Sequence, residues 1–276
     1  MTWWLSGFGD EIDPDPVVQL AVLQALGARH IEVRSAWHTN VVALSDAQLE
    51  RLRALIAERG FAVSAIASPI GKVDIDSDPE AELARLDRAV RVAHVLGARY
   101  VRIFSFYRGA GVPVSAIRDD VVVRSRAFAD LAEKEGVVLL HENEKDIYGD
   151  TPERVLDLVT AVSSPAYKVA WDNANFVQVG VRPFTDGYAL LRPHLEYLQV
   201  KDAVAATGEV VPAGEGDGEL VATLTALRND GYTGFVSLEP HLADQHTLGG
   251  FSGPAEFGRA ARALAILLAP LGVTTA

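Results

Sequence analysis

Acidic side chains follow three apolar, β-rich runs of the chain, at the point where each run ends. These are Glu142, Asp172 and Glu239, and Gln199 lies at the end of a fourth run of the same kind. Carboxylates that converge repel one another, and a divalent cation relieves that repulsion. Oxygen donors of this kind suit Mn²⁺, Mg²⁺ or Co²⁺. The pattern therefore indicates either a metal site or a set of salt bridges to Arg34, Arg102, Lys145 and Lys201, and the spacing does not choose between them.

Further polar residues share faces with these four. Side chains two residues apart on a strand point the same way, so Glu144 lies on the face of Glu142 and His241 on that of Glu239. By the same rule Lys201 lies on the face of Gln199. If one face of every strand points into a common interior, that interior is polar at one end and apolar below. Glu32 and Arg102 are also expected inside, as an ion pair with each other or as a Glu32–Arg34 pair.

The elements that must position these residues alternate along the whole chain. Each short β-rich run is followed by a segment with helical spacing, and glycines at the helix ends act as stop signals. We predict strands at 3–8, 30–34, 62–68, 100–106, 137–143, 168–172, 197–201 and 235–239. We predict helices near 14–26, 46–59, 79–97, 115–135, 152–163, 184–192, 219–230 and 254–269.

Strict alternation of strand and helix implies a parallel sheet covered by helices. Eight units favour closure into a (β/α)₈ TIM barrel, and 276 residues suit one such domain spanning 1–276. An open doubly wound sheet is the alternative, but no G-x-G-x-x-G motif follows the first strand. In a barrel the C-terminal ends of the strands form the catalytic face, where the acidic residues fall.

The charge and composition of the chain indicate which kinds of binding partner to expect. The net charge is −12, which disfavours nucleic acid and anionic membranes as partners. The chain has no cysteine, so thiolate ligands and disulfides are excluded. The N-terminal residues lack a signal-peptide pattern and no apolar stretch reaches 18 residues, so we expect a cytoplasmic protein that acts on a small molecule. A homo-oligomer is possible, but no pattern in the sequence decides it.

Five short motifs in a fixed order give the chain a family resemblance. Together they resemble the xylose-isomerase-like barrels of the sugar phosphate isomerase/epimerase family, over essentially the whole chain. The motifs are His141-Glu142-Asn143-Glu144, Asp172-Asn173-Ala174-Asn175-Phe176, Gln199-Val200-Lys201-Asp202, Pro212-Ala213-Gly214-Glu215-Gly216-Asp217 and Leu238-Glu239-Pro240-His241.

The resemblance implies one divalent metal ion on Glu142, Asp172, Gln199 and Glu239. Gln199 departs from the pattern, because the family usually has histidine at that position. A glutamine oxygen can ligate a hard cation but is a poorer donor than imidazole toward zinc. We therefore expect Mn²⁺ first, with Mg²⁺ or Co²⁺ possible and Zn²⁺ less suitable.

The resemblance also implies a reaction. Glu142 and Glu239 would remove and return a proton next to a metal-bound carbonyl, through an enediolate, with His241 as a further acid or base. The expected function is isomerisation or epimerisation of a keto sugar or keto-polyol. Residues expected to bind this sugar-like substrate are Lys72, Arg102, Glu144, Lys145, Asn175 and Lys201.

Two alternative functions stay open. One is a lyase or dehydratase that uses the same site on a keto-inositol, a 3-keto-glycoside or a dehydroshikimate-like acid. The other is a non-catalytic barrel that binds a sugar. The glycine-rich loop 214–218 bears on the substrate, because a phosphate cradle needs inward amides near positive charge. This loop carries Glu215 and Asp217 instead, so we expect an unphosphorylated substrate.

Overall fold

Eight parallel strands are ordered as the alternation predicts. The computed structural model describes residues 1–244 and 250–276. The barrel strands are β1 Thr2–Gly7, β2 His30–Val33, β3 Ala62–Ala67, β4 Tyr100–Ile103, β5 Val138–Glu142, β6 Tyr167–Asp172, β7 Leu195–Val200 and β8 Phe235–Leu238.

The sheet curls until its two ends meet. Neighbouring strands pair in chain order from β2 to β8, and β8 pairs with β1. A parallel bridge between Phe8 and Glu32 links the end of β1 to β2 and completes the ring. The predicted barrel is therefore confirmed. A short strand, Thr274–Thr275, pairs in parallel with Thr2 and Trp3 at the beginning of β1 and was not predicted.

Helices follow the strands of the ring. They are α1 Pro16–Ala25, α2 Asp46–Glu58, α3 Pro79–Leu96, α4 Arg118–Glu135, α5 Pro152–Val162, α6 Asn173–Gln178, α7 Ala189–Leu191, α8 Leu220–Asn229 and α9 Gly253–Leu268. Ser45 and Gln48 form a capping box at the start of α2, and Asp78 caps α3. Within the described residues, no helix is both long and apolar enough to cross a membrane.

Two helical regions differ from the prediction. The segment predicted at 184–192 is a π-helical turn, Pro183–Tyr188, that leads into α7. The helix α6 was missed because six residues are too few to show a helical period. It begins directly after β6, and the side chain of Asp172 caps it.

The barrel interior changes from apolar to polar along its axis. Ala65, Tyr100, Leu140, Ala170 and Tyr197 form an apolar cluster in the lower interior. Glutamate, lysine and arginine side chains lie above it, as the predicted alternation of faces requires. Apolar filling below leaves the C-terminal end of the strands as the place where charged groups meet.

His141 supports a prediction about acid stability. Its ring is fully buried on the outer side of β5, stacked on Tyr167, and neither ring nitrogen has a hydrogen-bond partner within residues 1–244 and 250–276. Burial lowers the pKa of His141 to about 3, below the value of the unfolded chain. The unfolded state therefore binds the extra proton between about pH 6.5 and pH 3, and stability falls as the pH falls through that window.

We expect His141→Phe to flatten this dependence. The wild type should lose up to about 1.4 kcal/mol more per pH unit than the variant below pH 6.5. Urea unfolding at pH 8, 6.5, 5.5 and 4.5 measures the difference, and above pH 7 the gap between the two proteins should be constant. Curves that stay parallel down to pH 4.5 would contradict the prediction.

Candidate active site

Three buried carboxylates meet at the top of the barrel. Glu142 ends β5, Asp172 ends β6 and Glu239 follows β8, and one oxygen from each lies within 4.8 Å of the others. All three side chains are buried. The structure thus brings together the three acidic residues that the sequence analysis singled out.

Cations neutralise this cluster. The ammonium of Lys201 lies 3.0 Å from Asp172 Oδ2 and 3.1 Å from Glu239 Oε2. Arg102 Nη1 lies 2.9 Å from Glu142 Oε2, and Arg34 Nη1 lies 3.3 Å from Glu239 Oε1. Three of the four basic residues in the salt-bridge alternative therefore contact the carboxylates. The fourth, Lys145, forms no such pair within the part of the chain that the structure describes.

The cluster shifts its pKa values in opposite directions. Burial would raise the pKa of Glu239, but the charges of Lys201 and His241 outweigh it and hold the pKa well below its usual value. Burial raises the pKa of Glu142, and Arg102 offsets this only in part. Burial raises the pKa of Asp172 to about 7 against the effect of Lys201. Buried carboxylates with divergent pKa values are typical of functional sites.

Gln199 completes the floor of the cluster. It is fully buried, and it is paired with Asp172 on one neighbouring strand and with Ser237 on the other. Its amide nitrogen donates to Glu32 Oε1 at 3.3 Å, whereas its Oε1 has no hydrogen-bond donor among the described residues. A buried oxygen without a donor costs free energy, and a cation satisfies it. Three carboxylates and this oxygen are a donor set that fits a hard divalent cation.

Glu32 lies beneath the cluster and orients it. Its carboxylate accepts hydrogen bonds from Tyr197 at 2.8 Å and Ser237 at 2.6 Å, as well as from Gln199. Burial raises the pKa of Glu32 to about 7. The expected ion pair with Arg34 or Arg102 is wrong, because the described cations that contact glutamates here bind Glu142 and Glu239 instead. Hydroxyl and amide donors reach Glu32 from β7 and β8.

Asn175 connects two of the carboxylates. Its backbone N–H donates to Asp172 Oδ1 at 2.9 Å, as the capping bond of α6. Its side-chain amide donates to Glu142 Oε1 at 3.0 Å and to the backbone carbonyl of Asn143 at 2.9 Å. The side chain is buried, so these bonds hold Glu142 in place.

A cavity of about 900 Å³ opens above the cluster. Glu142, Glu239 and His241 line it, whereas Asp172 and Gln199 do not and lie beneath. Lys72 Nζ pairs with Glu144 Oε2 at 2.9 Å on the cavity wall. All six predicted substrate-binding residues line the cavity: Lys72, Arg102, Glu144, Lys145, Asn175 and Lys201.

The first two strands contribute cavity residues that the sequence analysis missed. Asp10 follows β1 and accepts from Arg34 Nε at 2.8 Å, and both line the cavity. His38 and Asn40 come from the loop after β2. The signal was present, since Asp10 and Glu11 are polar residues at a strand end like those of the later strands.

The glycine-rich loop 214–218 is folded around a carboxylate of the protein itself. Asp202 Oδ2 accepts from the N–H groups of Gly214 and Gly216, at 2.9 and 3.1 Å. Its Oδ1 accepts from Gly218 and Ala203, both at 2.8 Å. A β-carbon on Gly218 would lie 2.5 Å from Asp202 Oδ1, so only glycine fits there. These amides are already occupied by an anion and do not face a substrate phosphate.

Fold and site together define a class of protein: a (β/α)₈ barrel whose polar mouth holds converging carboxylates from the later strands. The chain belongs to the xylose isomerase-like TIM barrel family, whose model matches residues 20–265.

The chain is also similar to individual proteins. The chain is similar to a 2-epi-5-epi-valiolone 7-phosphate 2-epimerase of Actinoplanes, with 32% identity over 184 residues that cover 64% of either protein. It resembles a Mycobacterium smegmatis xylose isomerase-like barrel solved with magnesium, at 23% identity and TM-score 0.69, covering 96% of this chain and 97% of that one. It also resembles the probable 3-DHS dehydratase AsbF of Bacillus anthracis, at 18% identity and TM-score 0.75, covering 96% and 99%.

Proposed function

We propose that this chain is an isomerase or epimerase that acts on an unphosphorylated keto sugar or keto-polyol with one divalent metal ion. The observation that carries the proposal is the convergence of Glu142, Asp172 and Glu239 at the base of a polar cavity. The epimerase activity of the curated relative supports the same class of reaction. Because the match spans only 64% of that relative, its substrate is not carried over.

The oxygen donors at the base of the cavity would hold the metal. They are Glu142, Asp172, Glu239 and the Oε1 of Gln199. This oxygen has no hydrogen-bond donor in residues 1–244 and 250–276, which supports its inclusion. We propose Mn²⁺, with Mg²⁺ or Co²⁺ as alternatives. When bound, a divalent cation supplies positive charge that polarises a carbonyl and stabilises the negative charge formed beside it.

The protein's own residues move the proton. Glu142 and Glu239 come from strands separated by two others in the ring, so they approach a molecule in the cavity from different sides. One of the two carboxylates takes the proton from the carbon next to the carbonyl. The electron pair of the broken C–H bond moves toward the carbonyl oxygen, and the other glutamate then returns a proton to that carbon. The ammonium of Lys201 and the guanidinium of Arg102 stabilise the negative charge in between.

Hydrogen exchange tests the reaction class. The Mn²⁺-loaded protein is incubated in D₂O with unphosphorylated keto sugars, keto-inositols and their phosphate esters, and deuterium next to the carbonyl is followed by NMR. We expect exchange with an unphosphorylated compound. Exchange with phosphate esters alone would overturn the substrate class, and none with any compound would count against the reaction class.

Removing the amide oxygen of Gln199 should weaken metal binding. We expect Gln199→Ala to raise the Kd for Mn²⁺ by about tenfold or more, since it deletes one of four protein donors. Calorimetry and the shift of Tm on adding Mn²⁺ measure the effect. Gln178→Ala is the matched control, because Gln178 also lines the cavity but donates to the carbonyl of Gly208. Equal Mn²⁺ affinity in both variants would exclude Gln199 as a ligand.

A lyase or dehydratase is the second candidate function. The observation that favours it is that His241 and Lys145 both line the cavity, where either can protonate a leaving group on the next carbon. The exchange experiment separates the two, because a dehydratase converts the compound to an unsaturated product that gains ultraviolet absorbance, whereas an epimerase does not.

A further inference from the structure

Glu11 is a buried carboxylate beside the cavity that the proposed reaction does not use. It ends the 3₁₀ turn Gly9–Glu11 after β1, and its side chain is fully buried. Within residues 1–244 and 250–276 it forms no ion pair with a lysine or an arginine, since Arg34 pairs with Asp10 and Glu239 instead. A buried carboxylate is costly without a cation, so the surroundings of its two oxygens indicate its role.

One oxygen of Glu11 holds the backbone after β8 in place. Oε2 accepts from the N–H of His241 at 2.8 Å and from the hydroxyl of Ser252 at 2.7 Å. His241 has φ 47°, in the left-handed region that costs a non-glycine residue about 1–2 kcal/mol. Such a conformation persists where the surrounding bonds hold it. The contacts of Oε2 therefore fix both the histidine backbone and the direction of the second oxygen.

The second oxygen meets two further donor atoms. Glu11 Oε1 lies 3.2 Å from His241 Nε2, and Glu239 Oε1 lies 3.5 Å from the same nitrogen. Both Glu11 Oε1 and His241 Nε2 are buried, and neither has a hydrogen-bond partner among the described residues. Two ligands of a tetrahedral zinc ion, each about 2.1 Å from the metal, lie about 3.4 Å apart. Glu11, His241 and Glu239 thus have the spacing of ligands around one cation.

This donor set differs in chemistry from the cluster of three carboxylates. It combines two carboxylates with an imidazole nitrogen, and one donor atom from each residue lies within 4.8 Å of the other two. Imidazole suits Zn²⁺, whereas a set made only of oxygens suits Mg²⁺ or Mn²⁺. Glu239 and His241 line the cavity, so the site can be reached from it.

We propose that Glu11, Glu239 and His241 form a second metal site, which binds Zn²⁺. Glu239 belongs to this site and to the proposed site for Mn²⁺. The zinc site has a consequence for turnover that rests on the proposed function. An oxygen of Glu239 that is bound to zinc is not free to take a proton from carbon, so zinc at this site inhibits the reaction.

Calorimetric titration with Zn²⁺ tests the binding. Millimolar Mg²⁺ is present throughout to occupy the oxygen-only site, and we expect one zinc ion per chain. Glu11→Gln keeps an acceptor oxygen for the N–H of His241 and the hydroxyl of Ser252 but removes the charge. His241→Asn removes the imidazole, and asparagine tolerates the left-handed backbone. Each should raise the Kd for Zn²⁺ by about a hundredfold or more, because losing a group that merely orients a ligand costs about 10–100-fold.

Two variants are controls for this measurement. His38 also lines the cavity and also has a left-handed backbone, with φ 59°, so His38→Asn is the matched control for His241→Asn. Ser252→Ala removes one hydrogen bond to Glu11 Oε2 and leaves Oε1 unchanged. Both should keep the Kd for Zn²⁺ within about threefold of wild type, as substitutions of residues that are not ligands. Equal zinc affinity in His241→Asn and His38→Asn would overturn the proposal.

X-ray absorption at the zinc edge identifies the ligand directly. Wild-type protein with one equivalent of Zn²⁺ and excess Mg²⁺ should show the scattering of one imidazole. The signal should disappear in His241→Asn and remain in His38→Asn. A wild-type spectrum without imidazole would overturn the zinc site, whether or not the variants fold.

Deuterium exchange tests the inhibition separately. Zn²⁺ added to the Mn²⁺-loaded wild type should stop exchange, and His241→Asn, compared with its own rate without zinc, should need about a hundredfold more. Inhibition at the same zinc concentration in both proteins would overturn the inhibitory role, since zinc would then act by displacing Mn²⁺. Failure of the wild type to exchange deuterium would count against the proposed function and against inhibition, but not against the zinc site.

Discussion

Replacing Glu239 by glutamine should reduce deuterium exchange by about a thousandfold or more in kcat. Glu239 lies within contact distance of Lys201, Arg34 and His241, and its oxygen is within 4.8 Å of the other two carboxylates. An amide cannot take a proton from carbon, and the change removes one negative charge from the proposed metal site. The rate is measured by NMR in D₂O with the compound that the wild type exchanges.

Glu196→Gln provides the matched control for that variant. Glu196 lies at the opposite end of the barrel, on β7, where it accepts a hydrogen bond from the hydroxyl of Tyr100 at 2.7 Å. The same chemical change there should leave the exchange rate within about threefold of wild type, because substitutions away from the site and the core have small effects. A Glu239→Gln protein that keeps more than a tenth of the activity would remove Glu239 from the proposed mechanism.

Asp202→Ala should lower the free energy of unfolding by about 3 kcal/mol or more. Its carboxylate is the acceptor for four backbone N–H groups, two of them from buried bonds at Ala203 and Gly218. Each buried donor left without an acceptor costs about 1–3 kcal/mol, and water can reach only the part-buried ones. Urea unfolding measures the change in the free energy of unfolding.

The control for Asp202 lies in the same loop. Asp217 accepts one bond, from the N–H of Ala205 at 2.7 Å, in an exposed position. Water replaces that bond, so Asp217→Ala should cost less than about 1 kcal/mol. If the two variants lost equal stability, the amides around Asp202 would not depend on its charge. The argument that Asp202 occupies these amides, and that they therefore do not bind a substrate phosphate, would then fail.

The barrel and the positions of its acidic residues could be predicted because they depend on local patterns. Alternating strand and helix signals determine a parallel sheet, and the two-residue period of a strand puts Glu142 and Glu239 on inner faces. The C-terminal ends of parallel strands all lie at one end of a barrel, so Asp172 had to join them. These conclusions need no knowledge of which side chains touch.

Contacts between distant residues could not be predicted in this way. The bond from Gln199 to Glu32 joins residues 167 positions apart, and that from Ser252 to Glu11 joins residues 241 apart. Both bonds join residues from the last two strand–helix units to residues from the first two, which meet only when the ring closes. They therefore depend on how the strands of the closed barrel are staggered. That stagger cannot be read from the spacing of residues in the sequence, so the expected Glu32 ion pair was wrong and the partners of Glu11 could not be predicted.

The sequence by itself determined the fold, the polar end of the barrel and three converging carboxylates, because strand period and helix signals act over a few residues. Only the tertiary structure decided how those carboxylates are partnered. It placed Lys201, Arg102 and Arg34 against them. It turned the amide nitrogen of Gln199, and not its oxygen, toward Glu32, and it placed the carboxylate of Asp202 against the backbone N–H groups of the glycine-rich loop. Such choices follow from distances of a few ångströms between strands and loops, which exist only once the ring has closed.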